Sequence, residues 1–201
     1  MAFDLGNYLE RSANALRDMI AGRDAEKFAG IAELMSTSLK AGNKVLLCGN
    51  GGSAADAQHL TGELVGRFYR DRPGLPAISL TTDASVVTAA ANDYGYEQVF
   101  SRQLAALGRP GDVLWALTTS GNSANVLRAV ETAVLQEMSV VLFTGAGGGA
   151  AHQVIGDASL DNGAKRLWYR APSDETPIVQ QCHLIAGHAV CALVEELLFP
   201  C

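Results

Sequence analysis

The sequence predicts an α/β fold of three layers, in which a parallel sheet lies between two layers of helices and a helical pair comes first. Two observations predict it. Short apolar runs alternate with segments long enough for helices, and strands joined in this way pair in parallel through right-handed crossovers. The runs are continuously apolar, which is typical of strands buried on both faces. The chain has 201 residues, 48% of them hydrophobic, so we predict a single domain over residues 1–201.

The first element is a helical pair over residues 3–40. Apolar residues recur there at steps of three and four and build the stripe of an amphipathic helix; they include Phe28, Ile31, Leu34, Met35 and Leu39. Gly22 offers a break between the two helices. We expect this segment to pack on the rest of the domain.

Strands and helices then alternate to the end of the chain. The predicted strands are residues 44–48, 75–80, 112–117 and 139–144, with a last strand and its approach formed by 158–160 and 166–170. The predicted helices cover 54–68, 85–91, 97–107, 124–137 and 177–198. A glycine-rich turn at 145–149 ends the fourth strand, and the final helix is long and apolar.

Charge and composition argue against several classes of protein. The net charge is −6, whereas a nucleic-acid binder usually presents a basic face. An anionic substrate would therefore need local positive potential, from backbone N–H groups or a few cations. No apolar run reaches the roughly 18 residues of a membrane helix, and the first residues lack the basic region of a signal peptide. We expect a cytoplasmic protein with neither a membrane nor a nucleic acid as a direct partner.

The four cysteines form no C-x-x-C pair, so a cysteine zinc cluster is not expected. In a reducing cytosol they are expected to be free thiols. Cys48 falls within the first apolar strand, where a small core residue is the expected role.

Two loops at strand ends carry the clearest chemical signals. They are Cys48-Gly49-Asn50-Gly51-Gly52-Ser53 and Thr118-Thr119-Ser120-Gly121-Asn122-Ser123. Ligands of open parallel sheets bind beyond the carboxyl ends of the strands, where glycines allow close approach and helix N-termini hold anions. Each loop alone could be a tight turn with a helix cap, but the two together favour a phosphate or phosphosugar. Neither matches the nucleotide-binding motifs.

Two helices carry candidate acid–base groups. His59 and Glu63 are four residues apart and share a helix face, a spacing that suits acid–base chemistry or a metal but also occurs on ordinary surface helices. In the final helix Gln180 and His188 are eight residues apart, about 80° around the helix, so both can approach one point. His183 on the same helix fits either the core or the site.

These residues together resemble the phosphoheptose isomerases within the sugar isomerase (SIS) family. The resemblance rests on the block Cys48-Gly-Asn-Gly-Gly-Ser-Ala-Ala-Asp-Ala-Gln-His59 with Glu63-Leu-Val-Gly-Arg67-Phe, and on Arg72-Pro73, Ala91-Asn92-Asp93-Tyr94-Gly95, Thr119-Ser120-Gly121-Asn122-Ser123 and Gln180…His183…His188. It covers about residues 5–198. It implies a flavodoxin-like parallel sheet and conversion of sedoheptulose 7-phosphate to D-glycero-D-manno-heptose 7-phosphate, an early step towards activated heptose for surface glycans such as lipopolysaccharide.

The resemblance also implies roles for particular residues. Glu63 would be the general base and His188 the partner acid. Zinc, present in some members, would be held by His59, Glu63, Gln180 and His188. Substrate contacts would come from Asn50, Gly51, Gly52, Ser53, Arg67, Asn92, Asp93, Thr118, Thr119, Ser120, Ser123 and Gln180. Relatives form homotetramers with sites between subunits, and the 1–40 segment would take part in that assembly.

The chain departs from the family pattern at a few positions. Ile178 and Gln181 stand where relatives have Arg and Glu, Thr118 stands where they have Ser, and the 159–166 stretch is slightly longer. These differences bear on the identity of the sugar more than on the reaction class.

Three other functions fit parts of the pattern. One branch of the family is a non-catalytic tetramer that binds a DNA-replication initiator protein; that branch lacks the catalytic Glu, whereas Glu63 is present here. An isomerase of another phosphosugar is the second alternative. The third is a phosphosugar sensor, which usually adjoins a DNA-binding module that this chain has no length to accommodate.

Overall fold

The computed structural model describes residues 3–155 and 164–200, and its centre is a five-stranded sheet. The strands are β1 (Val45–Cys48), β2 (Ala77–Ser79), β3 (Val113–Thr118), β4 (Ser139–Thr144) and β5 (Arg166–Arg170). All four neighbouring pairs are parallel, in the order β2-β1-β3-β4-β5. This is the flavodoxin-like order, and the predicted fold class is confirmed.

Eight α-helices accompany the sheet within the described residues. They are α1 (Leu5–Ala21), α2 (Asp24–Lys40), α3 (Gly52–Val65), α4 (Ala84–Tyr94), α5 (Val99–Leu107), α6 (Ala124–Leu135), α7 (Ala151–Ile155) and α8 (Thr176–Leu198). A short 3-10 turn, Tyr96–Gln98, joins α4 to α5.

Alternate strand residues point to opposite faces of the sheet and build two cores, which makes the three layers. In β1, Val45 and Leu47 contribute to one core, and Leu46 and Cys48 to the other. The first core receives helices α1, α2, α3 and α8; the second receives α4, α5, α6 and α7. Because both faces are covered, the strands are apolar at consecutive positions.

The N-terminal pair forms as the sequence predicts. Asp4 caps α1 by accepting a hydrogen bond from the Asn7 N–H (3.0 Å), and the chain breaks after α1 at Gly22. Both helices of the pair pack against α8, and α1 adds an ion pair in which Arg11 donates to both carboxylate oxygens of Glu175 (3.0 and 3.2 Å).

The two departures from the family pattern on α8 have structural explanations. Ile178 is buried in the first core, so an apolar side chain is suited to that position. Gln181 lies on the exposed side and its amide donates to the Tyr8 hydroxyl (2.8 Å), which gives α1 and α8 a second polar contact.

Besides shifts of a few residues at the helix ends, the structure differs from the predicted elements in β2 and α7. Strand β2 is shorter than predicted, since Pro76 has no N–H for the ladder. Helix α7 was not predicted, because five residues are too few for a helical period to be recognised. Strand β5 is confirmed over 166–170, whereas residues 158–160 of its predicted approach lie outside the described part of the chain.

Helix α8 is long and apolar enough to cross a membrane by length and composition alone. Many of its apolar residues, among them Val179, Val190 and Val194, are buried in the first core, whereas Ile185 and Leu197 are exposed. Packing within the fold therefore accounts for the buried face of this helix. The thiols of Cys48, Cys182 and Cys191 are likewise buried and free, and burial raises the pKa of Cys48 to about 12, as expected for a core residue.

Candidate active site

The two loops singled out in the sequence meet at one edge of the sheet. Strands β1 and β3 are neighbours, and the loops leave their carboxyl ends on either side of the switch point, where strand order reverses. Helices α3, α6 and α8 begin at or next to residues of this region, at Gly52, Ala124 and Thr176. The positive ends of three helix dipoles therefore converge on it, which favours an anion although the net charge is negative.

Between the loops lies a cleft of about 340 Å³. It is lined by Asn50, Gly51, Gly52, Ser53, Leu117, Thr118, Thr119, Ser123, Thr176 and Gln180. Eight of these are predicted substrate-binding residues. The sequence analysis did not single out Leu117 or Thr176. Thr176 could have been found from its position four residues before Gln180 on the same helix face, whereas no signal marks Leu117.

The first loop is shaped by close contacts that require glycine. A Cβ on Gly52 would lie 2.7 Å from the Gln180 side-chain carbonyl carbon, and a Cβ on Gly49 would lie 2.6 Å from the Ser53 carbonyl oxygen. Gly51 has φ +55° and ψ −121°, a conformation that side chains with a Cβ disfavour. The glycines thus let the start of α3 approach Gln180 on α8.

The second loop is held by a hydroxyl pair and by the glycine-rich turn after β4. The hydroxyls of Thr118 and Ser123 are 2.9 Å apart, and the Asn122 N–H donates to the Ser120 hydroxyl (3.1 Å). The Asn122 side-chain carbonyl accepts from the Ala150 N–H (2.8 Å). Gly121 has φ +66° and faces the Gly148 carbonyl so closely that a Cβ would clash.

Asn50 is fixed by neighbours that the sequence did not identify. Its side chain and that of Asn125 exchange two hydrogen bonds of 2.8 Å, and the Tyr96 hydroxyl donates to the same Asn50 oxygen (3.1 Å). Asn125 is buried at the start of α6. This arrangement joins the first loop to the second helix layer and sets the direction of the Asn50 amide.

A cluster of acid–base side chains is formed by α3 and α8. The Nε2 atoms of His59 and His188 are 2.7 Å apart, and His59 Nε2 is 3.2 Å from Glu63 Oε1. Ligand atoms of all three residues lie within 4.8 Å of one another. The structure therefore brings together the predicted base, the predicted acid and one further predicted metal ligand.

The environment of His188 favours its neutral form. Burial lowers the pKa of His188 and the nearby His59 lowers it further, while Glu63 acts in the opposite direction. A neutral imidazole can donate with one nitrogen and accept a proton or bind a metal with the other. Two imidazoles and a carboxylate are also a donor set that suits zinc, so the three residues fit that ion. Gln180, the fourth predicted ligand, lies against Gly52 in the cleft.

Asp56 lies one helical turn before His59 on α3. One of its carboxylate oxygens is buried without a hydrogen-bond partner among the described residues. Burial raises the pKa of Asp56 to about 6, and His59 opposes that rise. The carboxyl thus titrates closer to neutrality than an ordinary Asp.

Some predicted substrate-binding residues lie outside the cleft of this chain. Arg67 is exposed beyond the end of α3. Asn92 is exposed and donates to Asp93 (2.8 Å), and Asp93 lines a separate groove of about 670 Å³ between β2, α4 and α5. Ser120 belongs to the second loop but is not among the residues that line the cleft. For all four, substrate binding stays a prediction.

His183, which the sequence left open between core and site, is fully buried. Its ring lies 5.5 Å from Phe143 and 6.2 Å from Tyr169, measured between ring centres, and its Nε2 is 3.1 Å from the Thr144 carbonyl oxygen. Because a carbonyl only accepts, Nε2 carries the proton and Nδ1 is bare. Nδ1 has no partner among the described residues, so protonating it would bury an unpaired charge.

We expect His183→Gln to make the protein less sensitive to acid. Burial lowers the pKa of His183 to about 4, whereas an unfolded chain has an ordinary value near 6.5. The unfolded state therefore binds more protons between these pH values, and about 3 kcal/mol of folding free energy is lost as the pH falls from about 6.5 to 4. Denaturant unfolding of both proteins at several pH values should show a shallower decline for the Gln variant; parallel curves would contradict this role.

Comparison with known proteins identifies the family of this chain. The SIS domain family model matches residues 7–145. A curated phosphoheptose isomerase of Rhodospirillum rubrum is 51% identical over 177 residues, covering 88% of this chain and 89% of the relative. A solved phosphoheptose isomerase from Neisseria gonorrhoeae is 39% identical with a TM-score of 0.83, covering 96% of this chain and 97% of the other. One from Francisella tularensis is 38% identical with a TM-score of 0.86 and covers 96% of each chain.

Proposed function

Because the chain belongs to the phosphoheptose isomerase family of SIS-domain proteins, we propose that it converts sedoheptulose 7-phosphate to D-glycero-D-manno-heptose 7-phosphate. The observation that carries the proposal is the cluster of His59, Glu63 and His188 on the two helices, α3 and α8, that also help to form the anion-binding cleft. A carboxylate and an imidazole beside a phosphate site are what an aldose–ketose isomerase needs.

The chemistry requires one proton to move between two carbons and another between their oxygens. In the ketose-to-aldose direction Glu63 takes the proton from C1 and returns it to C2, while His188 protonates the C2 oxygen and accepts the proton of the C1 hydroxyl. The product of the first transfer is an enediol or enediolate. The lowered pKa of His188 suits this exchange, since a neutral imidazole can donate and accept in turn.

Zinc is the proposed metal, held by His59, Glu63 and His188 with Gln180 as a fourth ligand. The imidazole nitrogens and the carboxylate oxygen already lie within 4.8 Å of one another. When bound, the metal would stabilise the negative charge that develops on the substrate oxygens. Without it, protein donors near the oxygens would have to stabilise that charge.

The phosphate is proposed to bind in the cleft between the two loops. Ser53, Thr118 and Ser123 line the cleft with hydroxyls, Ser120 would add a hydroxyl from the second loop beside it, and the starts of α3 and α6 supply backbone N–H groups. Hydroxyls with helix N-termini hold phosphate without a large positive charge.

We expect Ser120→Ala to raise the KM for sedoheptulose 7-phosphate by about tenfold, the effect of losing one hydrogen bond to a charged group, with little change in kcat. Initial rates over a range of substrate concentrations give both constants. An exposed hydroxyl away from the cleft, Thr37, which bonds its own helix at Glu33, provides the control Thr37→Ala. A KM unchanged by Ser120→Ala would remove Ser120 from the phosphate site.

We propose that the functional unit is a homotetramer with sites between subunits, as the family resemblance implies. Leu5, Leu9, Leu16 and Ile20 are exposed on α1, and their spacing places them within about 60° of one another around the helix. Such a stripe suits packing against a second copy. Arg67, Asn92 and Asp93, which lie outside the cleft of their own chain, could then act in a neighbour's site. Sedimentation equilibrium of the wild-type chain measures the number of subunits.

The location is proposed to be the cytoplasm, where the product would feed nucleotide-activated heptose and surface glycan synthesis. The decisive experiment is incubation of the purified, metal-analysed protein with sedoheptulose 7-phosphate, followed by NMR. Appearance of the manno-heptose phosphate supports the proposal. If the folded protein is inactive on this substrate, the proposal fails; a screen of other phosphosugars and a search for a bound replication protein would then distinguish the two main alternatives.

A further inference from the structure

The loop that follows α3 is tied to α8 by a buried ion pair. Arg72 Nε donates to Glu195 Oε1 (2.9 Å), and both side chains are only 2% exposed. The same carboxylate accepts the backbone N–H groups of Phe68 (3.2 Å), Tyr69 (2.8 Å) and Arg70 (3.0 Å). Desolvation raises the pKa of Glu195, but the hydrogen bonds from these three N–H groups and from Arg72 outweigh it, so the net shift is downward. Glu195 is therefore ionised near neutral pH.

The guanidinium of Arg72 also holds the last turn of α3. Its Nη2 donates to the Glu63 carbonyl oxygen (2.8 Å), and its Nη1 donates to the Leu64 carbonyl oxygen (2.9 Å). Carbonyls in the last turn of a helix have no partner within the helix, and a cation there also opposes the negative end of the helix dipole. Arg72 thus binds the backbone of the residue whose side chain is the proposed base.

Glu195 and the acid–base cluster belong to one helix interface. Glu195 follows His188 by seven residues, which returns it to nearly the same face of α8. Between the two ends of the interface the helices touch closely: a Cβ on Gly187 would lie 2.6 Å from a methyl carbon of Leu60. At the start of α3, Gly52 lies against Gln180. The interface therefore has three fixed points, and the ion pair is the one at the Glu63 end.

We propose that Arg72 and Glu195 are positioning residues for the acid–base cluster: together they fix the last turn of α3 against α8 and so set the distance from Glu63 and His59 to His188. This inference rests on the proposed function for its kinetic consequence, but the geometry it concerns exists without substrate. Neither residue contacts the cleft, so they act through the backbone of Glu63 and through the packing of the two helices.

The test compares Glu195→Gln with Asp112→Asn. Asp112 is a matched control because it is also a buried carboxylate that accepts a cation, Lys44 Nζ (2.5 Å), and two backbone N–H groups, of Lys44 and Arg109 (both 2.9 Å). It precedes β3, at the end of the sheet opposite the cleft. Both variants should unfold at a lower temperature than the wild type, so the comparison separates loss of stability from loss of geometry.

We expect Glu195→Gln to lower kcat about 100-fold, the effect of displacing a reacting group by about 1 Å, with KM for sedoheptulose 7-phosphate changed less than about threefold. Asp112→Asn should leave both constants close to wild type. In metal-free protein without substrate, the imidazole ¹H and ¹⁵N resonances of His59 and His188 should shift in Glu195→Gln and stay in place in Asp112→Asn. Arg72→Lys keeps the buried cation but loses the several N–H donors of the guanidinium, so it should have the same effects as Glu195→Gln. It replaces Glu195→Gln in the test if that variant does not fold.

Equal effects of Glu195→Gln and Asp112→Asn on kcat, or unchanged histidine resonances in Glu195→Gln, would overturn the positioning role. If the wild type is inactive on sedoheptulose 7-phosphate, the proposed function fails instead, and the resonances still decide whether the ion pair sets the geometry of the cluster.

Discussion

Replacing Glu63 with Gln should lower kcat by about 10³-fold or more, because the variant keeps the size of the side chain but cannot accept the substrate proton. The fold should be preserved. Glu63 is partly exposed, and its one ion-pair partner within the described part of the chain is His59, itself about half exposed. We therefore expect a thermal midpoint close to wild type. NMR detection of product at saturating substrate measures the turnover, and thermal unfolding checks the fold.

The matched control for this variant is Glu131→Gln. Glu131 lies on α6, is partly exposed and pairs with Arg128 (2.9 Å). Its replacement therefore removes the same charge on the opposite side of the sheet from α3 and α8. We expect its kcat to equal that of the wild type. A folded Glu63→Gln protein that retains wild-type turnover would remove Glu63 from the role of base, and proton transfer would have to be assigned to another group of the cleft.

The sequence alone predicts the alternation of strands and helices and the loops that directly follow the strands. Strands such as 139–144 are continuously apolar and are separated by helices. This pattern predicts a parallel sheet, because the strands of such a sheet are covered on both faces. The two polar loops were recognisable because they follow strands, and the carboxyl ends of neighbouring parallel strands meet at one edge. His59 and Glu63 could be placed on one face from their spacing alone.

The remaining contacts join residues far apart in the sequence, and no local pattern encodes them. Asn50 in the first loop pairs with Asn125 at the start of α6, and each alone resembles an ordinary loop or cap residue. In the sequence, Glu195 is one of two adjacent glutamates near the end of α8 and no local pattern distinguishes it, yet it is 1% exposed and bound by Arg72. The reverse holds for Asp93 and Arg67, which the family pattern placed at the substrate and the structure of one chain leaves outside the cleft.

His188→Ala should lower kcat by about 10²- to 10⁴-fold, the usual contribution of a positioned acid–base group. It should also weaken zinc binding by at least tenfold, since it removes one of the proposed ligands. Titration of the metal-free protein with zinc, followed by a competing chelator, measures the affinity separately from turnover. Glu196→Ala, an exposed residue of the same helix, should change neither quantity.

The two measurements on His188→Ala separate its two proposed roles. If zinc affinity falls and added zinc restores turnover, His188 acts chiefly as a ligand, because filling the zinc site with excess metal is then enough to replace its contribution. If turnover stays low in the zinc-saturated variant, the imidazole itself moves a proton between the substrate oxygens. Near-normal kcat and zinc affinity would contradict both roles. The close approach of His188 Nε2 to His59 Nε2 (2.7 Å) would then be a structural contact, with Glu63 left to exchange protons with another group.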